Sequence, residues 1–202
     1  MAKLKAPFLS LGASGQLGKA VVAFPWKGLD ALREYVIPTN PKSAKQQTQR
    51  GYLSGAVALI HTCQKLAANP LDADDCTAYA LLGSIHPTPR TWFNEACKIN
   101  VDSKVAGKDY GVCCNGTITE VEDELDIELW TSYTANPTAG DFWYGVSKTA
   151  LLNKEAATVL ANKMSASIAG LVSGTKYYIQ FRPTAPAGAV GVNSGIYTGI
   201  PL

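Results

Sequence analysis

The hydrophobic rhythm of the chain changes twice. Residues 8–37 carry short apolar runs, Phe8 to Leu11, Ala20 to Phe24 and Leu32 to Ile37, punctuated by Gly12, Gly15, Gly18 and Gly28. Short runs bounded by turn residues predict three strands. Pro38, Asn40 and Pro41 stop the last of them. From Pro41 or Ser43, apolar positions recur at helical spacing through Tyr52, Leu53, Ala56, Val57, Leu59, Ile60, Cys63, Leu66 and Ala67, until Asn69-Pro70 ends the pattern. That spacing predicts one long helix, capped by Asn40 or Ser43, with Leu53, Val57, Ile60 and Leu66 as its seam against the preceding strands. A second helix is expected from Asp72 or Asp74 to Leu82, closed by Gly83 and His86-Pro87-Thr88-Pro89, and a third from Thr91 to Ile99.

After about Val105 the period becomes two. Ile118, Val121, Leu125, Ile127 and Leu129 are expected to face inward, with Glu120, Glu122, Glu124, Asp126 and Glu128 outward along one strand face over most of the run. Further strands are expected at Phe142 to Tyr144, Met164 to Leu171, Lys176 to Arg182 and Gly191 to Thr198, at the spacing of a β-sandwich. The stretch from Lys148 to Asn162 reads as a short helix or a long connection. Asp102-Ser103-Lys104 and Gly107-Lys108 interrupt the apolar pattern. The chain therefore reads as α+β, with a strand-and-helix module over 1–104 and a sandwich over 105–202.

Composition narrows the class. The chain has 202 residues, 47% hydrophobic and 17% charged, so it can fill a core. No run reaches the roughly 18 apolar residues of a membrane span, and the basic start Met1 to Pro7 has no apolar segment of a secretory signal. These features argue against a membrane protein, a disordered tail and a conventionally secreted domain. The net charge of +2 hides a split: residues 1–69 hold nine Lys/Arg and two acids, net +7, and residues 70–202 hold nine Lys/Arg and fourteen acids, net −5. A basic front and an acidic back fit nucleic-acid contact, front-to-back attraction between copies, or two solvated surfaces.

Candidate chemistry is sparse. The five cysteines, Cys63, Cys76, Cys97, Cys113 and Cys114, contain no C-x-x-C pair, and neither His61 nor His86 adds zinc-site spacing. Free buried thiols made in a reducing cytoplasm are expected, with adjacent Cys113 and Cys114 pointing to opposite faces of a strand. His61 is expected beside the apolar stripe of the long helix and His86 at the surface in a turn; neither has a nucleophile-elbow context. Alternate carboxylates on a strand lie about 6.6 Å apart along a line, whereas calcium gathers its ligands around one point. The segment Gly12-Ala-Ser-Gly15-Gln-Leu-Gly18 resembles the nucleotide-binding turn of short-chain reductases, which needs a helix to follow at once. Pro25 and Trp26-Lys27-Gly28 leave no room for one, so a glycine-rich β-turn is the expectation, and no cofactor is expected.

Two resemblances carry more. Leu171-Val-Ser-Gly174-Thr175-Lys-Tyr177-Tyr-Ile179-Gln-Phe181 resembles the fibronectin type III signature L-x-P-x-T-x-Y-x-V-x-V, with Tyr177 at the tyrosine-corner position and Ser173 where proline is usual. Leu125-Asp-Ile127-Glu-Leu129-Trp130 resembles strand B of that family, with its core tryptophan. The N-terminal half resembles a group of small tailed-phage virion proteins. Their pattern appears as Gly15, Gly18, Trp26-Lys27-Gly28, Arg33-Glu-Tyr35, Asn40-Pro41-Lys-Ser43 and Gln46-Gln47-Thr-Gln49-Arg50. Ser43 replaces the usual threonine.

The second resemblance implies a non-enzymatic structural component of a phage particle, assembled in many copies. It would serve as a capsid decoration or head-fibre base, or as a tail or head–tail component. The implied partners are copies of itself and other virion proteins, with no membrane and no specific nucleic acid. The implied location is the virion, after synthesis in the host cytoplasm. The alternative is a carbohydrate- or cell-surface-binding module, with Trp143, Tyr144 and Tyr178 available to stack on a host-surface glycan. The charge split nominates Lys3, Lys5, Lys19, Lys27 and Arg33 of one copy against Glu120, Glu122, Glu124, Asp126 and Glu128 of the next.

Overall fold

A computed structural model describes residues 15–18, 20–27, 29–37, 39–40 and 42–202. Among them are three helices and eleven strands in three antiparallel sheets, a mixed α+β architecture with a β-rich C-terminal part. No helix among the described residues is long and apolar enough to cross a membrane. The expected strand Phe8 to Leu11 lies outside the described residues.

Contacts divide the chain into two compact units, Met1–Ser43 and Ala44–Leu202. The division expected at 104/105 thus gives way to one at 43/44, because the helices share buried surface with the sheets that follow them. The first unit contains a meander of β1 (Gly15–Leu17), β2 (Val21–Trp26) and β3 (Leu29–Glu34). Gly18, at φ 59, serves the β1–β2 turn, and Lys27, at φ 49, the β2–β3 turn. The third strand ends three residues earlier than expected, at Glu34.

In the second unit, α1 (Ala44–Gln64) buries Ala56, Ile60 and Cys63, one side of its C-terminal half. The seam expected from Leu53, Val57, Ile60 and Leu66 is corrected at its ends, for Ile60 is buried and Val57 packs on the same cluster. Leu53 is 51% exposed and Leu66 38%, because the face that meets a neighbour is rotated toward Ala56 and Cys63. Helix α2 (Ala73–Gly83) starts at a capping box: Asp75 N–H donates to Asp72 Oδ1 (2.9 Å) and Asp72 N–H to Asp75 Oδ2 (3.1 Å). Helix α3 (Trp92–Val105) is capped by Thr91, whose Oγ1 accepts from Asn94 N–H at 3.3 Å, and it runs six residues past the expected end at Ile99.

Eight strands follow: β4 (Gly111–Val121), β5 (Glu124–Tyr133), β6 (Ala139–Gly145), β7 (Asn153–Ala156), β8 (Thr158–Leu160), β9 (Lys163–Ala169), β10 (Tyr177–Ala185) and β11 (Tyr197–Gly199). One sheet has the order β4-β5-β9-β8 and the other β11-β10-β6-β7. Leu125, Ile127, Leu129, Met164 and Ile168 of the first pack with Phe142, Ile179, Phe181 and Tyr197 of the second in one apolar cluster, a sandwich-like arrangement. The stretch 148–162, read as a helix or connection, instead supplies the edge strands β7 and β8. The last strand is only three residues long; residues 192–196 are irregular, with Ser194 N–H donating to Phe181 O and Ile196 N–H to Ala78 O of α2.

A second apolar cluster joins the helices to the outer side of β4: Ile60, Cys63, Tyr79, Ala96 and Cys97 meet Val112 and Cys114. Alternation along β4 sends Cys113 into the sandwich core and Cys114 toward α1, as adjacent strand residues require. Helix α2 also reaches the sandwich. Ile196 N–H donates to Ala78 O at 2.9 Å, and Gly195 lies so close to α2 that a Cβ there would stand 2.5 Å from the Ala78 carbonyl carbon.

Candidate functional site

Of the basic residues nominated for contact between copies, Lys3, Lys5 and Lys19 lie outside the described residues. Lys27 is exposed in the β2–β3 turn, and Arg33 on β3 places its guanidinium 5.4 Å from the centre of the Phe24 ring. The acidic set needs correction. Its residues do not share one strand, because the chain reverses at Glu122-Asp123, where Asp123 adopts φ 54 and Val121 pairs with Glu124. Glu120 stands opposite Leu125 and so on the core side of the sheet, where its carboxylate accepts from Ile200 N–H at 2.9 Å. Glu122 sits in the turn. Glu124, Asp126 and Glu128 share the outer face of β5, flanked by Thr117, Thr119 and Val121 on β4 and by Ser165, Ser167 and Ala169 on β9. Lys163 reaches Glu128 at 2.7 Å.

The three aromatic residues nominated for glycan stacking divide. Tyr144 is opposite Ile179 and packs against the sandwich core, while Trp143 and Tyr178 face outward. The Arg182 guanidinium lies 4.8 Å from the Trp143 ring centre and donates through Nε to Gln180 Oε1, so one ring face is already covered. Trp130 is corrected as well. It alternates with buried Leu129 and Thr131, faces outward, and carries Lys163 Nζ 5.2 Å from its ring centre. Tyr177 opens β10, is buried, and its hydroxyl accepts from Val172 N–H at 3.1 Å, the geometry expected of a tyrosine corner.

Three polar groups of the interior escaped the sequence reading. Asp75 is fully buried and gathers four donors: the N–H groups of Asp72, Asn115 (2.6 Å) and Gly116 (3.0 Å), and the hydroxyl of Tyr197 (2.6 Å). Burial raises its pKa above the ordinary aspartate value, against the pull of those hydrogen bonds. Glu95, also buried, accepts from Arg90 at 2.9 Å and contacts His86 Nε2 at 3.0 Å. His86, expected at the surface, is therefore half-buried as a tie between the α2–α3 turn and α3. His61 is exposed on α1, with its ring 5.9 Å from that of Phe93. Third, Cys63 and Cys114 lie in one buried cluster. The hydrogen bond from Cys114 pulls the Cys63 thiol down from its ordinary pKa, burial opposing, while Cys114, as the donor, is held up. All five cysteines are free.

The segment after Gly18 is the strand β2, so the glycine-rich turn opens no helix that could face a pyrophosphate. Among the described residues no three His, Cys, Asp or Glu side chains are placed to hold a metal ion. A scan against protein-family models finds no match, and neither does a search of curated proteins.

Proposed function

We propose that this chain is a non-enzymatic structural component of a bacteriophage particle, assembled in many copies. The observation that carries this reading is the first unit, which holds most of the virion-protein resemblance, from Gly15 to Ser43, while Gln46 to Arg50 lie in α1. In the first unit Ala23 is buried, while Trp26 is 60% exposed and Leu32 52%. A three-stranded sheet needs an apolar face packed on something to persist, so this meander is built to be covered. In the particle the cover is another virion protein or a neighbouring copy. The second unit supports a fibronectin III-like module. Its two strand orders and the Tyr177 corner fit an immunoglobulin-type sandwich, with β4, β5, β9 and β8 as strands A, B, E and D. The outward Trp130 is its departure from that family.

Contact between copies follows the charges: Lys27 and Arg33 of one copy face the Glu124, Asp126 and Glu128 stripe of the next, head to tail. The test is to lyse cells producing the particle, band the particles by density and probe them with antibody to this chain. The expected outcome is a strong band in particles from wild type and a much weaker one for Glu124→Lys/Asp126→Lys/Glu128→Lys. A chain found only among unassembled proteins overturns the reading. A glycan-binding role is the second reading, favoured by the outward Trp143 and Tyr178. It predicts retention on a glycan array that Trp143→Ala abolishes.

A further inference from the structure

The outer face of β5 changes character along its length. Glu124, Asp126 and Glu128 make it acidic, and Lys163 closes that stripe by reaching Glu128 at 2.7 Å. Beyond the stripe the same face continues with Trp130 and Ser132, which pair with Cys114 and Val112 of β4. The chain joining α1 to α2 borders the sheet there, and a cavity of about 290 Å³ opens between them. Trp130, Ser132 and Cys114 line it from the sheet, Asn69 from the α1–α2 connection, Asn136 from the β5–β6 loop and Asn162 from the β8–β9 turn. Among the described residues none that lines it is charged. The three asparagines are held in place. Asn69, at φ 52, accepts through Oδ1 from Asn115 Nδ2 at 2.9 Å. Asn136 accepts through Oδ1 from Tyr133 N–H at 3.1 Å. The Asn162 main-chain carbonyl accepts from Thr131 N–H (2.8 Å) and Oγ1 (3.1 Å). With Oδ1 so engaged, the Nδ2 donors of Asn69 and Asn136 are left over for a ligand.

We propose that this cavity binds one neutral pyranose ring, with Trp130 as its apolar wall and Asn69, Asn136 and Asn162 as its hydrogen-bonding rim. The site lies wholly within the second unit, is independent of the particle reading, and is separate from the Trp143 and Tyr178 face on the other sheet. The lining selects the chemistry. An ion would leave water without meeting a counter-charge. A purely apolar molecule would leave the amide donors unpaired. A sugar ring supplies both halves: C–H groups for an aromatic side chain, and vicinal hydroxyls that each donate and accept. An amide, with donors on one atom and an acceptor beside it, matches such a pair of hydroxyls. Lys163 Nζ lies 5.2 Å from the Trp130 ring centre but is held to Glu128, so it steadies the indole without bringing a charge into the lining. The volume stands at the lower limit of small-molecule sites, about 300 Å³, which suits one ring and not a chain enclosed end to end. The ring is therefore a free sugar or the terminal residue of a glycan.

The test is proton–nitrogen NMR on the full isotope-labelled chain, titrated in turn with glucose, galactose, mannose and N-acetylglucosamine. At least one of these sugars should give saturable shifts of the Trp130 indole N–H and of the Asn69 and Asn136 side-chain amides. The expected Kd is on the order of 1 mM, as suits a ligand of about a dozen non-hydrogen atoms. Trp130→Ala should weaken binding about tenfold and Asn136→Ala about fivefold, while Trp143→Ala should leave it unchanged. Asn136 is at the surface, so its variant decides the matter even where Trp130→Ala fails to fold. The methyl glycoside of the bound sugar separates the two sources: binding as tight as that of the free sugar supports a glycan end, and exclusion supports a free sugar. No saturable shift with any of the sugars, shifts confined to Trp143 and Tyr178, or full affinity in Asn136→Ala overturns the proposal.

Discussion

The two units of this chain solve the problem of an apolar sheet in opposite ways. The second unit covers its sheets itself. The inner faces of the two sheets close on each other, and three helices seal the outer side of β4. In the first unit Trp26 and Leu32 lie in solvent and Ala23 is buried. The sheets of the second unit have a second layer of apolar side chains packed on them, whereas Trp26 and Leu32 of the first are exposed. A sheet with a second layer stores its stability within the chain, and one without it can gain stability only from what it docks on.

Substitutions can break this comparison, beginning with the largest effect. Phe181→Ala and Ile127→Ala remove fully buried sandwich side chains and should each cost about 3–5 kcal/mol by urea denaturation of the second unit. Asp75→Ala should cost on the order of 3 kcal/mol, because it leaves three buried N–H donors and the Tyr197 hydroxyl without an acceptor. The milder Asp75→Asn exposes a pH effect. With the folded pKa raised, the carboxyl's contribution is fully present below the ordinary aspartate value and is lost as pH rises through the folded one. The stability of wild type relative to Asp75→Asn should therefore fall between acid and neutral pH. Tyr177→Phe, which deprives the Val172 N–H of its acceptor, should cost about 1 kcal/mol in the same denaturation. Smallest of all, Leu32→Ala in the first unit should leave the denaturation curve within about 0.5 kcal/mol of wild type while lowering incorporation into particles. A large loss of stability there would show that the meander carries a core of its own.

What was legible in the sequence was mostly local. Asp72 and Thr91 announced two helix starts, Tyr177 its own hydrogen bond, and Cys113-Cys114 their opposite directions. The β4–β5 turn was hidden because Glu122 and Asp123 are acidic like the outward positions around them, so the alternation runs through the reversal without a glycine or proline to mark it. The buried side of α1 was placed only in part, at Val57 and Ile60, because apolar residues surround its second half and the distant α3 and β4 decide which of them pack. Asp75 looked like one more acid in a first turn. Its decisive partners, Asn115, Gly116 and Tyr197, stand 40 or more residues away. Cys63 and Cys114 come into one cluster by the same long-range docking. Of the residues nominated for assembly, Glu124, Asp126 and Glu128 were brought together and Glu120 was drawn away to Ile200.

The strand β4 has one further consequence, for how the second unit comes apart. Val112 and Cys114 form part of one interior and Cys113 part of the other, so a single stretch of backbone is a wall of both. If the helical layer lifts away, Val112 and Cys114 meet water, and the Asp75 clasp on the Asn115 and Gly116 amides opens with it. Neither interior has an inexpensive way to open alone, so the helices and the sandwich belong to one cooperative foldon. Amide protons at Cys113 and Cys114 should exchange with deuterium only through global unfolding, at rates that track those of Ile127 and Phe181 across a denaturant series.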